Sequence, residues 1–185
     1  MSVSNHIHYG LVLAGGRSSR MGTDKAMLVK GNVNLLENAQ VCLSTSLCKQ
    51  VLISRNTEQG IRDRYQDKGP LAGIEAALEH IPNGAWLSIL PVDMPLIRSS
   101  DLIQLQKTAQ ESQNAVYFES HMLPCIVKVT EDLKIFLKDA LDGKFKNSIY
   151  AMLKTQNAQT LVQGEPLYLT NANTPNDWQA VKTHF

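Results

Sequence analysis

Short apolar runs alternate in this chain with segments whose apolar residues recur at helical spacing. Residues 7–13, 51–53 and 86–90 are typical of buried strands, and helical repeats at 35–47 and 71–81 follow the first two of them. This alternation predicts an α/β fold in which helices cover a sheet. Ligands of such folds bind beyond the carboxyl ends of the strands, so the segments directly after each strand are the candidates for function.

The rest of the chain continues the pattern less regularly. Thr130 and Thr174 are predicted to cap two later helices, the second of which has proline at its first helical position. Ser99 or Ser100 is predicted to cap the helix before them. Further strands are predicted at 115–118, 125–129 and 159–163, and a further helix at 147–154.

Length and charge limit the classes of protein to consider. A single domain over residues 1–185 is predicted, and 43% of the residues are hydrophobic, enough for a core. The net charge of +1 predicts no nucleic-acid partner, and no apolar run reaches the roughly 18 residues of a membrane span. The polar start of the chain, residues 1–8, has no signal-peptide pattern, so we expect a cytoplasmic protein.

A glycine-rich loop, residues 13–25, reads LAGGRSSRMGTDK and follows the first predicted strand directly. Gly15 and Gly16 let backbone N–H groups approach phosphate oxygens closely, because glycine has no Cβ and adopts a positive φ at little cost. Arg20 and Lys25 then supply positive charge, the arginine as a fork and the lysine as a point charge. The loop therefore predicts a triphosphate site, the alternative being an ordinary glycine turn with surface arginines.

Two standard phosphate loops do not fit this sequence. A Walker loop needs lysine directly after its last glycine, but Thr23 follows Gly22. A dinucleotide fingerprint needs spaced glycines, whereas Gly15 and Gly16 are adjacent.

A second segment, residues 69–73, reads GPLAG and opens a predicted helix. A helix N-terminus beside Gly69 offers unpaired N–H groups to a ribose or a phosphate. Alone it is a weak signal, better explained as a plain helix start.

A third segment, residues 90–95, places Asp93 directly after a buried strand and between two prolines. Magnesium needs few protein ligands where phosphates complete its coordination, so this one carboxylate can suffice. In isolation, Asp93 could equally be a turn or capping residue.

A fourth segment, residues 170–175, reads TNANTP. Asn171 and Asn173 are two residues apart, so on an extended strand they would face the same way. They could bind a polar heterocycle, or they could close a turn and cap the last helix.

Taken together, the four segments resemble the molybdenum cofactor guanylyltransferase family and its near relatives. The family pattern is LAGGxxxRMGxDK, then GPLAG, then P-x-D-x-P, then N-x-N-T-P, and it occurs here in order over nearly the whole chain. The first motif is shared by many nucleotidyltransferases, whereas the last narrows the resemblance to the molybdopterin branch.

The resemblance implies a Rossmann-like, mostly parallel sheet flanked by helices, of the nucleotidyltransferase type, which binds GTP and magnesium. It assigns catalytic roles to Arg20, Lys25 and Asp93, with Asp93 as the magnesium ligand. It implies that the nucleotide is bound by Leu13, Ala14, Gly15, Gly16, Arg20, Gly22, Lys25, Ser54, Asp63, Gly69 and Asp93, with Asp67 a rival to Asp63. It places Asn171 and Asn173 against the pterin.

The chain departs from the family pattern at two places near the nucleotide. Its loop is one residue shorter than the RMGGxDK that close members often have, and Ser54 stands where they tend to carry asparagine, with Asn56 nearby. The identity of the base is therefore predicted less firmly than the chemistry.

The implied reaction transfers GMP from GTP to the terminal phosphate of molybdenum-molybdopterin and releases pyrophosphate. GTP and molybdopterin are then the substrates, and other proteins of molybdenum cofactor synthesis or delivery are the expected partners. The alternatives are a relative that uses CTP or another triphosphate, and a nucleotide-binding module without catalysis.

Overall fold

A computed structural model describes residues 7–15 and 24–185. Its strands are β1 (His8–Leu13), β2 (Val29–Lys30), β3 (Val33–Asn34), β4 (Cys48–Ser54), β5 (Trp86–Pro91), β6 (Val116–Phe118), β7 (His121–Lys128) and β8 (Gln159–Leu161). Its α-helices are α1 (Leu35–Ser44), α2 (Pro70–Ala77), α3 (Ser99–Ser112), α4 (Glu131–Leu141), α5 (Ile149–Thr155) and α6 (Pro175–Lys182). Short 3₁₀ turns lie at Lys25–Met27, Leu78–His80 and Pro166–Leu169.

Six strands form one mostly parallel sheet in the order β4-β1-β5-β7-β6-β8. β1 is parallel to both β4 and β5, β6 is parallel to β8, and β7 is antiparallel to its two neighbours. β2 and β3 form a separate antiparallel hairpin. The predicted α/β class and the mostly parallel sheet are confirmed.

Helices cover both faces of the sheet, and successive side chains along each strand point to opposite faces. Leu11 packs into a core formed with α2, α4 and α5, whereas its neighbour Val12 packs into a second core formed with α1 and α3. A third, smaller cluster joins Leu35 and Leu96 to Trp178 of α6. No helix in the described ranges is long and apolar enough to cross a membrane.

Several predicted element ends are confirmed by the hydrogen bonds that fix them. The Thr130 side chain accepts a hydrogen bond from the backbone N–H of Leu133, and Thr174 forms a capping box with Asp177. These side-chain oxygens satisfy donors that the first turn of a helix leaves unpaired.

The prediction that Ser99 or Ser100 caps α3 is wrong. Arg98 is the N-cap residue, and Asp101 accepts hydrogen bonds from both the backbone N–H and the guanidinium of Arg98. The acidic residue of the first turn thus closes the helix from inside, and no serine oxygen is needed at its start.

Two other boundaries differ from the sequence pattern. α1 ends at Ser44 rather than near Leu47, because the hydroxyls of Thr45 and Ser46 donate to the carbonyls of Val41 and Leu43. β7 begins at residue 121, before the strand predicted at 125–129, so the connection from β6 is shorter than the sequence predicts.

Candidate active site

The carboxyl ends of β4, β1 and β5 meet at one edge of the sheet. Leu13 at the end of β1 is level with Ser54 of β4 and Pro91 of β5. From β1 the chain passes through α1 to β4 on one side, and it then crosses through α2 to β5 on the other. Strand order therefore reverses beside β1, which is where doubly wound sheets bind their ligands.

Backbone hydrogen bonds continue across this edge beyond the strands. The N–H of Ala14 donates to the carbonyl of Ser54 over 2.9 Å, and the N–H of Val92 donates to the carbonyl of Leu13 over 3.1 Å. The segments that leave the three strands therefore start from fixed positions.

A cavity of about 460 Å³ opens at this edge. Its lining includes eight residues predicted for the nucleotide site, namely Leu13, Ala14, Gly15, Lys25, Ser54, Asp63, Gly69 and Asp93. The rival carboxylate Asp67 also lines it, as do Asp24, Asn56, Gln66 and Gly73. The other predicted residues of the loop, Gly16, Arg20 and Gly22, lie outside the described residues.

Lys25 and Asp93 approach each other at one side of this cavity. The Lys25 Nζ lies 3.6 Å from Asp93 Oδ2 and donates a hydrogen bond of 2.7 Å to Asn173 Oδ1. Lys25 begins a 3₁₀ turn, and the side chain of Asp24 caps that turn by accepting from the N–H of Ala26. The cap by Asp24 and the hydrogen bond to Asn173 together hold the Lys25 side chain close to Asp93.

Burial raises the pKa of the Asp93 carboxyl above its ordinary value, and the charge of Lys25 opposes that shift. The desolvation of the carboxylate therefore outweighs its attraction to the lysine. A second cation close to Asp93 would stabilise the ionised form.

Asn56 fixes the position of Asp63 on the opposite side of the cavity. Asn56 Nδ2 donates to Asp63 Oδ2 over 2.9 Å, and the N–H of Asp63 donates to Asn56 Oδ1 over 2.8 Å. The other carboxylate oxygen, Asp63 Oδ1, is buried and has no hydrogen-bond partner among the described residues. A buried acceptor of this kind favours a ligand that brings an N–H or O–H donor.

The glycines of the site have different roles. Gly69 has φ of 69° and precedes the first turn of α2, a conformation that glycine adopts without strain. Gly73 packs directly on Ser54, since a Cβ at residue 73 would lie 2.1 Å from the Ser54 Oγ. The sequence predicts no role for Gly73, whose only signal is its place in the GPLAG motif.

Gly15 does not adopt a positive φ. A Cβ at this position would lie 3.9 Å from Asn56 and from Asp63, which is an ordinary contact distance. Glycine at residue 15 thus keeps space open between β1 and the pair of Asn56 and Asp63.

Asn171 and Asn173 lie in the segment that approaches Asp93 from the C-terminal part of the chain. The N–H of Ala172 donates to the Asp93 carbonyl over 2.8 Å, which ties this segment to the end of β5. Asn173 contacts Lys25, as described above, and Asn171 Oδ1 is buried without a partner among the described residues. Neither asparagine lines the cavity itself.

The cavity lies where strand order reverses, the switch point of the sheet, and it has a lysine and an aspartate at one side. Such a site is expected of an enzyme that binds and cleaves a nucleoside triphosphate. This chain is a nucleotidyltransferase. It belongs to the family of the MobA-like NTP transferase domain, whose family model matches residues 10–169.

Its relatives agree with this assignment. The chain is 34% identical over 175 residues, 91% of each sequence, to a molybdenum cofactor guanylyltransferase of Xanthomonas euvesicatoria pv. vesicatoria. It is 31% identical over 190 residues, 93% of each sequence, to a probable molybdenum cofactor guanylyltransferase of Mycobacterium avium. The resemblance predicted from the four motifs is confirmed.

Solved structures of similar fold extend beyond guanylyltransferases. The molybdopterin-guanine dinucleotide biosynthesis protein A of Archaeoglobus fulgidus aligns with a TM-score of 0.76 at 21% identity, covering 95% of this chain and 97% of that one. A 2-C-methyl-D-erythritol 4-phosphate cytidylyltransferase of Thermus thermophilus aligns with a TM-score of 0.67 at 15% identity, covering 94% and 96%. The fold therefore serves more than one nucleotide base.

Proposed function

We propose that this protein transfers GMP from GTP to the terminal phosphate of molybdenum-molybdopterin and releases pyrophosphate. The observation that carries the proposal is the approach of Lys25 to Asp93 within 3.6 Å at the side of the switch-point cavity. The choice of GTP and of the molybdopterin acceptor is supported by relatives of this name over about nine-tenths of the chain.

The nucleotide would lie along the carboxyl ends of the strands. Leu13, Ala14 and Gly15 line the cavity at the end of β1, and Gly69 and Pro70 line it at the start of α2. Lys25 would bind phosphate oxygens as a point charge. By resemblance to the family, Gly16, Arg20 and Gly22 would complete the phosphate contacts.

The reaction needs no activated side-chain nucleophile, because the attacking phosphate oxygen of the acceptor is already anionic. A bond forms between this oxygen and the α-phosphorus of GTP, and the bond from the α-phosphorus to the oxygen bridging to the β-phosphate breaks. The electron pair leaves with pyrophosphate. Catalysis then depends on positioning and on charge, and Lys25 contributes to both.

The donor set around Asp93 fits magnesium. Its carboxylate is a hard oxygen ligand whose burial favours a nearby cation, and the described residues contain no group of three or more potential metal ligands. A single carboxylate is suited to an ion that takes its remaining ligands from phosphates and water. Bound there, the ion would neutralise charge on the phosphate oxygens.

Asn171 and Asn173 would bind the pterin. Asn171 Oδ1 is a buried acceptor that lacks a donor among the described residues, and the amino and ring N–H groups of a pterin are donors. Asn173 Oδ1 accepts from Lys25, which leaves its amide N–H groups for an acceptor on the heterocycle.

Acceptor-dependent release of pyrophosphate from the four nucleoside triphosphates, with and without magnesium, tests the proposal. We expect release from GTP only when magnesium and molybdenum-molybdopterin are both present. Release from CTP instead would identify a relative with a different base. Tight binding of GTP with no release under any condition would identify a binding module without catalysis.

A further inference from the structure

An ion pair joins two sides of the nucleotide cavity. The Arg55 guanidinium bonds the carboxylate of Asp24, and these residues are 31 positions apart in the chain. Asp24 lines the cavity next to Lys25, and Arg55 lies between two other lining residues, Ser54 and Asn56. The pair therefore connects the end of the glycine-rich loop to the segment that leaves β4.

The arginine end of this connection is held firmly. The N–H of Arg55 donates to the carbonyl of Ile61 over 3.0 Å, and its carbonyl accepts from the N–H of Thr57 over 2.8 Å. Gly60 packs so closely on this turn that a Cβ there would lie 2.7 Å from the Arg55 carbonyl oxygen. Only 14% of the Arg55 side chain is exposed, so the guanidinium reaches Asp24 from a fixed base.

The aspartate of this ion pair also caps the turn that begins with the catalytic lysine. Asp24 Oδ1 accepts a hydrogen bond from the N–H of Ala26 over 3.0 Å and so caps the turn that begins with Lys25. Asp24 Oδ2 accepts a hydrogen bond from the guanidinium of Arg55. The two oxygens of one carboxylate thus shape the lysine turn and tie it to β4.

Asp24 also places a negative charge on the lining of the cavity, and the positive charge of Arg55 offsets it. A carboxylate on the lining of a cavity that accepts a triphosphate repels the ligand, and water screens part of this repulsion because 48% of the Asp24 side chain is exposed. A guanidinium bonded to that carboxylate cancels the repulsion and keeps the cap in place. We propose that Arg55 is a positioning residue for the nucleoside triphosphate, which acts by neutralising Asp24 and holding the Lys25 turn; this inference rests on the proposed function.

Binding of magnesium GTP by calorimetric titration tests the inference in four variants, with the melting temperature of each as a check of the fold. Arg55→Ala leaves Asp24 charged and should raise the dissociation constant about tenfold, with a smaller fall in kcat at saturating GTP. Arg55→Lys keeps the charge and should bind better than Arg55→Ala. Arg62→Ala removes an exposed arginine from the same loop and serves as the matched control.

The double variant Arg55→Ala with Asp24→Asn separates this role from direct contact with phosphate. Asparagine still caps the turn but carries no charge, so the double variant should bind GTP about fivefold more tightly than Arg55→Ala alone. A double variant as weak as the single one, or an Arg55→Ala protein with wild-type affinity, overturns the inference while leaving the proposed function intact. A wild-type protein that binds no triphosphate overturns both.

Discussion

Replacing Asp93 with asparagine separates the catalytic role of this residue from any role in the fold. The two side chains are nearly isosteric, so the packing around residue 93 should be kept. The hydrogen bond that the Asp93 carbonyl accepts from Ala172 belongs to the backbone and should also be kept. What the substitution removes is the negative charge of a half-buried group 3.6 Å from Lys25.

The effect of Asp93→Asn on stability follows from the direction of its pKa shift. The pKa of Asp93 is raised above 3.8 in the folded protein, with burial as the main cause and Lys25 opposing it. The group therefore contributes most to stability below its unfolded pKa, and this contribution is lost as the pH rises through the folded value. At pH 7 and without magnesium, Asp93→Asn should leave the free energy of unfolding unchanged or slightly higher.

The effect on rate should be large, because an amide oxygen is a much weaker ligand for magnesium than a carboxylate. Loss of one preorganised charge contact to the reacting phosphates typically costs about 10²- to 10³-fold in turnover, or about 2.7–4 kcal/mol. Protonation of wild-type Asp93 has the same consequence. Because protons and magnesium compete for the Asp93 carboxylate, the magnesium concentration needed for half-maximal activity of the wild-type protein should rise as the pH falls.

The assay is pyrophosphate release over a magnesium series, with a melting curve on the same sample. Asp132→Asn, an exposed change in the first turn of α4, is the control for loss of one carboxylate. Wild-type turnover of Asp93→Asn at wild-type magnesium would remove this residue from the active site. A loss of more than about 1 kcal/mol, seen as a fall in Tm of roughly 2–4 °C, would refute the reasoning on stability.

Three further substitutions test other parts of the site. Lys25→Ala should weaken GTP binding by about 1.5–3 kcal/mol while leaving the fold intact, measured by titration against Lys49→Ala at the far end of β4. Equal affinities would contradict the phosphate assignment. Gly15→Val should fold, because a Cβ at residue 15 meets only ordinary contacts, but it should bind GTP less well than Lys25→Ala, and normal affinity would show that the ligand does not lie there. Gly73→Ala should lower the free energy of unfolding by about 1–3 kcal/mol, because its Cβ would lie 2.1 Å from Ser54 Oγ. Denaturant unfolding should show partial recovery of this free energy when Ser54→Gly is added. No recovery would show that this contact is not the cause.

The parts of this site that lie next to strand ends could be predicted from the sequence. Glycine after β1 and an aspartate between prolines after β5 are local signals, and the parallel sheet brings them together without further information. The caps at Thr130 and Thr174 were equally local, since each depends on a side chain three residues from its partner.

Contacts between distant segments could not be predicted in the same way. The bond from Asn173 to Lys25 spans 148 positions, and that from Arg55 to Asp24 spans 31, so neither has a sequence pattern of its own. The wrong cap at Ser99 or Ser100 has a different cause. A serine before an acidic residue is a common start of a helix. Here the carboxylate of Asp101 accepts hydrogen bonds from the backbone N–H and the guanidinium of Arg98, so the N-cap is Arg98, one residue before Ser99.

We expect the chain to transfer a nucleotidyl group from GTP to the acceptor in the cavity beside β1. The most direct measurement follows GTP labelled on the α-phosphate and, separately, on the γ-phosphate, with molybdenum-molybdopterin and magnesium. We predict that the α-label passes to the pterin product in a one-to-one ratio with pyrophosphate and that the γ-label appears only in pyrophosphate. Transfer of the γ-label to the acceptor, or transfer of the α-label from CTP in preference to GTP, would contradict it.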